Sequence, residues 1–184
     1  METVEYEERV MISENDYHKV INDIKKEDIS FVSLHIENIY LDNKESFIFN
    51  TNKMLRIRTT NNEEKELTLK TRNADGSTRE INETLDQHPI IDKELNNHFS
   101  DYQEIAKMVT ERIEVQYEDY LLVIDKNIYH GIVDYDLEIE AKSQQKALIL
   151  LKKYCNLYNL AYDSQYQVKS HRAIARAREL KEKR

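Results

Sequence analysis

The stretch Val4-Glu5-Tyr6-Glu7-Glu8-Arg9-Val10 alternates in a way that suits a strand. Successive strand residues point to opposite faces. Glu5, Glu7 and Arg9 then share one face, and Val4, Tyr6 and Val10 share the other. The same parity returns near the end of the strand-rich region, in Asp134-Tyr135-Asp136-Leu137-Glu138-Ile139-Glu140. There Asp136, Glu138 and Glu140 align opposite Tyr135, Leu137 and Ile139. Between these stretches the charged face changes sign. Arg56 and Arg58 align opposite Leu55 and Ile57, and Thr68, Lys70 and Arg72 align opposite Leu67 and Leu69. Arg112 and Glu114 precede a further strand.

One such strand is explained by an antiparallel sheet with one wet face. Mixed charges can also pair across strands. The segregation points further. If the charged faces converge inside a closed barrel, carboxylates line one wall and cations another. Such an interior is costly when empty. It is reasonable when a polyanion and a divalent cation occupy it. An oxygen-rich, cysteine-free ligand set suits Mg²⁺ or Mn²⁺ rather than zinc. Arginine forks suit phosphate oxygens. Amphipathic helices would then cover the apolar outer face.

Composition narrows the alternatives. The chain has 184 residues, the size of one domain. Its formal charge of −8 argues against general nucleic-acid binding. Gly76 and Gly131 are the only glycines, which excludes a P-loop, a dinucleotide fingerprint and a nucleophile elbow. Cys155 is the only cysteine, so an intrachain disulfide and a cysteine zinc cage are excluded. The six histidines are scattered. The first residues lack the apolar run of a signal peptide, and no stretch approaches the ~20 apolar residues of a membrane span. A cytoplasmic location is expected, with no membrane partner. One domain over residues 1–184 is expected. Its last sixteen residues hold seven basic and two acidic side chains.

Helices are expected from Ser13 to about Lys26, capped by Ser13 and Asp16, from Ser100 to Thr110, from Ser143 to Tyr158, and over the basic tail at about 169–184. The tail reads either as a solvated helix or as a plug for one barrel mouth, with Lys169 or Arg172 reaching inward. Strands are expected at Val4–Ile12, Val32–Leu41, Phe47–Phe49, Met54–Thr60, Glu66–Thr71, Arg79–Leu85, Ile113–Tyr117, Tyr120–Asp125 and Val133–Ala141. Asp75-Gly76-Ser77 reads as a hairpin turn and Pro89 as part of a polar connection. The class is α+β with a mostly antiparallel sheet. Tyr40, Tyr129, Tyr135 and Cys155 read as packing residues.

Taken in order, these motifs resemble the CYTH family. These are the triphosphate tunnel metalloenzymes, which include thiamine triphosphatases, inorganic triphosphatases and one class of adenylate cyclases. Glu5-Tyr6-Glu7-Glu8-Arg9 resembles the Glu-x-Glu-x-Lys signature. Ile39-Tyr40-Leu41-Asp42 resembles the Tyr-x-Asp strand, Leu55-Arg56-Ile57-Arg58 the Leu-Arg-x-Arg motif, and Leu67-Thr68-Leu69-Lys70 the Leu-Thr-x-Lys motif. Glu80, Arg112 and Asp125 fall at further charged positions, and residues 134–140 resemble the closing acidic strand. The resemblance covers about residues 4 to 142.

It implies an eight-stranded antiparallel barrel, with helices outside, that binds a triphosphate with Mg²⁺ or Mn²⁺. Glu5, Glu7, Asp125, Glu138 and Glu140 would hold the metal. Arg9, Arg56, Arg58, Lys70 and Arg112 would bind the phosphates, and Arg9, Glu7 and Glu138 would serve catalysis. Glu80 would be a ligand or balance an arginine. The implied reaction is hydrolysis of a terminal phosphoryl group. Cyclic AMP synthesis and non-catalytic polyphosphate or nucleotide binding are the alternatives. The implied partner is a small triphosphate, in a monomer or homodimer. Two positions depart from the pattern. Arg9 replaces the signature lysine, which keeps the charge but changes the donor geometry. Asn50 and Asn52 stand where glycine is common, and Asn tolerates a left-handed backbone.

Overall fold

The structure is a computed structural model that describes residues 1–63, 65–163 and 166–183. The strands are β1 (Glu2–Ile12), β2 (Val32–Asp42), β3 (Lys53–Thr60), β4 (Glu66–Arg72), β5 (Thr78–Thr84), β6 (Gln103–Gln116), β7 (Tyr120–Tyr129) and β8 (Ile132–Ala141). The helices are α1 (Glu14–Lys26), α2 (Pro89–Leu95), α3 (Gln144–Tyr158) and α4 (Lys169–Glu182), with a short 3₁₀ turn at Phe99–Asp101. The strands close a barrel in the order β1-β5-β4-β3-β2-β6-β7-β8, and every pairing is antiparallel. β1 closes it by pairing with β5 through Glu2–Glu5 and with β8 through Tyr6–Ile12. Closure leaves no edge strand to aggregate.

The outer face is apolar and helices cover it. Ser13 caps α1 by accepting from the Asp16 N–H at 3.1 Å. α1 then buries Tyr17, Val20, Ile21 and Ile24 against Val10, Leu137 and Ile139 of β1 and β8. α3, capped by Ser143, adds Ala147, Leu151 and Cys155 to the same cluster. On the opposite side α2 sets Ile91 and Leu95 against Leu55, Leu67, Leu69 and Ile81. Each such side chain contributes about 1.5–3 kcal/mol when fully buried.

α4 is placed differently. Its Ala173, Ile174 and Ala177 pack with Tyr40, Ala106, Met108 and Tyr129. Ala106 and Met108 have the parity of Thr110 and Arg112, so α4 packs against the inner wall and fills one end of the barrel. The basic tail is therefore a plug and not a solvated helix. Arg184, the last residue of the expected helix, lies outside the described residues.

Several expected elements differ. Residues 100–110 are not a helix, because most of them belong to β6. Ile105, Met108 and Val109 fit a helical period, but Ala106, Met108, Thr110 and Arg112 also alternate and are buried. Pairing with β2 along nearly its whole length decides between the two periods. Arg112 consequently lies inside a strand. Phe47–Phe49 is not a strand. This segment is turned back by Asp42, whose carboxylate accepts from the N–H groups of Asn43, Ile48 and Phe49 at 2.8–3.0 Å. Pro89 opens α2, at the position where a missing N–H costs nothing. Asn52 does take the left-handed conformation, with φ of 49°. Among the described residues no helix is long and apolar enough to cross a membrane.

Candidate active site

The inner wall encloses a cavity of about 640 Å³. All eight strands contribute to its lining, and the first turn of α4 lies at one end. Strand parity turns Glu5, Glu7 and Arg9, Arg56 and Arg58, Lys70, Arg112, and Glu138 and Glu140 into this space. Register then decides which of them meet.

The cations fall into two groups. Lys70 and Arg112 are paired. Lys70 donates to Glu5 at 2.9 Å and lies 2.5 Å from Glu80. Arg112 grips Asp125 with two bonds of 2.8 Å and also faces Glu114 at 3.4 Å. Arg56 and Arg58 are not gripped in this way. Arg56 is 3% exposed, and among the described residues its closest carboxylate is Glu80 at 3.8 Å and its Nε and Nη2 have no hydrogen-bond partner. Arg58 has no carboxylate partner among the described residues, and its Nε reaches only Asn38 Oδ1 at 3.5 Å. Burial, with Arg56 and Arg112 nearby, lowers its pKa to about 9. Among the described residues Arg56 is therefore buried with only Glu80 near it, and Arg58 is half-buried with no carboxylate partner.

The carboxylates gather on the facing wall. Glu7 and Glu140 are register partners, as are Arg9 and Glu138. Glu7, Glu138 and Glu140 each offer an oxygen within 4.8 Å of the others. Burial raises the Glu7 carboxyl, but Arg9 and then Lys70 outweigh it and the net shift is downward. Burial likewise opposes ionisation of Glu138, yet Arg9, Lys169 and Arg112 hold it well below the usual carboxylate range. Glu140 behaves differently. Burial, only partly offset by Arg112 and reinforced by Glu5, Glu7 and Glu138, pushes it up to about 7. Three converging oxygens, one of them short of positive charge, fit a hard divalent cation. Glu5 lies outside this cluster, tied to Lys70. Asp125 also lies outside it, with its oxygens engaged by Arg112 and Lys169. Glu80 balances Lys70 and Arg56, which hold it down to about 2 against the effect of burial.

The plug end carries groups that strand parity alone does not assign. Arg172 donates to both oxygens of Asp134 and to Asp136, each at 2.9 Å. Tyr166 donates to Asp136 at 2.6 Å and Tyr129 to Asp134 at 2.6 Å. Asn127 bridges the two aspartates at 3.1 and 2.8 Å. Asp136 shares the acidic face of β8 but serves this network and not the cavity cluster. Lys169 lies between Asp125 and Glu138. The sequence signal for this arrangement is the basic register of α4, with Lys169 and Arg172 spaced to share one helix face. Tyr135, by contrast, is outside the barrel, 4.8 Å from the Tyr17 ring.

Several solved structures share this architecture. A candidate adenylate cyclase from Bacillus halodurans superposes with a TM-score of 0.79 at 20% identity, covering 93% of this chain and 97% of its own. A protein from Hippeastrum, described as a candidate adenylyl cyclase with a dominant triphosphatase activity, gives 0.67 at 18% identity over 93% and 94% of the two chains. A protein from Pyrococcus horikoshii gives 0.62 at 18% identity over 97% and 99%. No curated protein matches the sequence. Likeness at these identities concerns the fold. The family comparison is more specific, because the CYTH domain model matches residues 3–171. With the closed barrel and its charged interior, this match shows that the chain belongs to the CYTH domain family.

Proposed function

We propose that the protein hydrolyses a linear triphosphate, with Mg²⁺ or Mn²⁺ bound inside the barrel. The observation that carries this reading is the pair Arg56 and Arg58. Among the described residues, Arg56 is buried with two nitrogens that lack a hydrogen-bond partner and Arg58 is half-buried with no carboxylate partner, and both lie in one cavity with three converging carboxylates. An anion of several charges and a divalent cation satisfy both walls at once.

In this reading Arg56, Arg58, Lys70 and Arg112 bind and orient the phosphate chain. Their fixed donors offset charge that builds on the phosphoryl oxygens as the bond breaks. Glu7, Glu138 and Glu140 would hold the cation, which when bound supplies charge neutralisation and a more acidic water. Arg9 lies between Glu7 and Glu138, and although burial opposes its charge, the two carboxylates outweigh that and raise its already high proton affinity. It therefore works as a permanent cation that steers a phosphate oxygen, and not as a proton donor.

The test is phosphate release from tripolyphosphate, ATP and thiamine triphosphate, each with Mg²⁺ or Mn²⁺. Wild type is compared with Glu7→Gln and Glu138→Gln. Metal-dependent release, reduced at least about 100-fold in both variants, is expected. Formation of cyclic AMP and pyrophosphate from ATP, or binding with no turnover of any substrate, would overturn it.

A further inference from the structure

Lys169 opens α4, and its ammonium group donates to Glu138 Oε1 at 2.9 Å and to Asp125 Oδ2. Arg9 reaches the same Glu138 Oε1 at 3.1 Å. The other oxygen of Glu138 faces Arg112 at 3.7 Å. Glu138 is one of the three carboxylates that converge as a cation site. A divalent cation arriving there meets an ammonium already on its ligand. The two compete for the same carboxylate, and their like charges repel across a few ångströms.

We propose that Lys169 is an exchangeable counter-ion of the metal site. It holds Glu138 while no cation is bound, leaves when a divalent cation takes that carboxylate, and then donates to the triphosphate in the cavity. This rests on the metal and triphosphate reading above.

The surroundings make the exchange cheap. Asp125 keeps its two-armed bond to Arg112 when Lys169 departs, so no buried carboxylate is left bare. Arg172, three residues further along α4, stays on Asp134 and Asp136. The helix therefore remains docked, and only one flexible side chain has to swing. The Lys169 side chain is 12% exposed and lines the same cavity as Arg56, Arg58 and Lys70, so on release it stays within reach of an anion held there. Cation and anion binding then reinforce each other, and the reinforcement is reciprocal.

The test titrates Mg²⁺ calorimetrically into wild type and Lys169→Met, alone and with an imido-bridged, non-hydrolysable tripolyphosphate. Without the anion, the variant should bind Mg²⁺ about tenfold more tightly, because one of the two cations on Glu138 Oε1 is gone. In wild type the anion should raise Mg²⁺ affinity by about 5- to 150-fold, and Lys169→Met should lose most of that gain. A second measurement needs no variant. Acetylation of Lys169 in wild type, followed by mass spectrometry, should rise with Mg²⁺ alone and fall again when the anion is added. Equal Mg²⁺ affinity in both proteins, or labelling that ignores Mg²⁺, would overturn the role of Lys169 and leave the metal site standing. Absence of any Mg²⁺ binding to wild type would overturn both.

Discussion

Arg112 and Asp125 are partners across the β6–β7 ladder, and two bonds of 2.8 Å join the guanidinium to the carboxylate. Asp125 is fully buried and Arg112 nearly so. The pair fixes the direction in which Arg112 faces the cavity. Asp125 therefore acts through Arg112 and Lys169. Asp125→Ala leaves two buried cations short of a partner and should destabilise the fold by about 3–5 kcal/mol, read as a lower midpoint in urea. The folded variant should bind triphosphate more weakly yet still bind Mg²⁺. Complete loss of Mg²⁺ binding would make Asp125 a ligand instead.

Arg58 should show opposite effects on stability and function. Its charge is half-buried near two other arginines, without a carboxylate partner among the described residues. Arg58→Met removes that repulsion, so the ligand-free protein should melt at a higher temperature. On the proposed triphosphate reading the same change removes a phosphate donor and should lower kcat/KM by about 100-fold or more. A lower melting temperature in the variant would show that Arg58 is compensated in the free protein.

Glu80 sets a pH dependence. Lys70 and Arg56 overcome burial and hold its folded-state pKa at about 2, against 4.5 for the free side chain. The unfolded chain thus binds the proton more readily than the folded one, and stability rises with pH across this window. The contribution, on the order of 3 kcal/mol, is fully present above about pH 4.5 and is lost as pH falls towards 2. Glu80→Gln should flatten the acid limb of the stability curve between these limits. An unchanged slope would show that Glu80 is not held by the two cations.

The plug position of α4 makes a packing prediction. Ala173 has no exposed surface and sits in the cluster with Ala106 and Met108. Ala173→Leu overfills this space and should cost about 1–3 kcal/mol. Ile149→Ala on the exposed face of α3 should change stability by less than about 0.5 kcal/mol. Equal, small effects at both sites would place α4 outside the barrel.

Local chemistry accounts for what was legible before folding. Alternation assigned Glu5, Glu7, Arg9, Arg56, Arg58, Lys70, Glu138 and Glu140 to one face each, because strand side chains alternate whatever the neighbouring strand is. Ser13 marked a helix start for an equally local reason, since a cap serves the N–H groups beside it. Pairing is not local. Whether residues 103–110 coil or extend depended on β2, some seventy residues away in the chain, because the segment carries a helical period at Ile105, Met108 and Val109 and an alternating one at Ala106, Met108 and Thr110. The same holds within the site. Sequence could place Asp125 and Glu138 among inward carboxylates, but only register and the entry of α4 decided their partners. Arg112 and Lys169 claim one, while Glu138 also joins Glu7 and Glu140. Charge type and facing direction are properties of a residue and its strand. Which opposite charge it meets is a property of the closed barrel, where ångström distances between remote segments select one pairing from several that the composition allows.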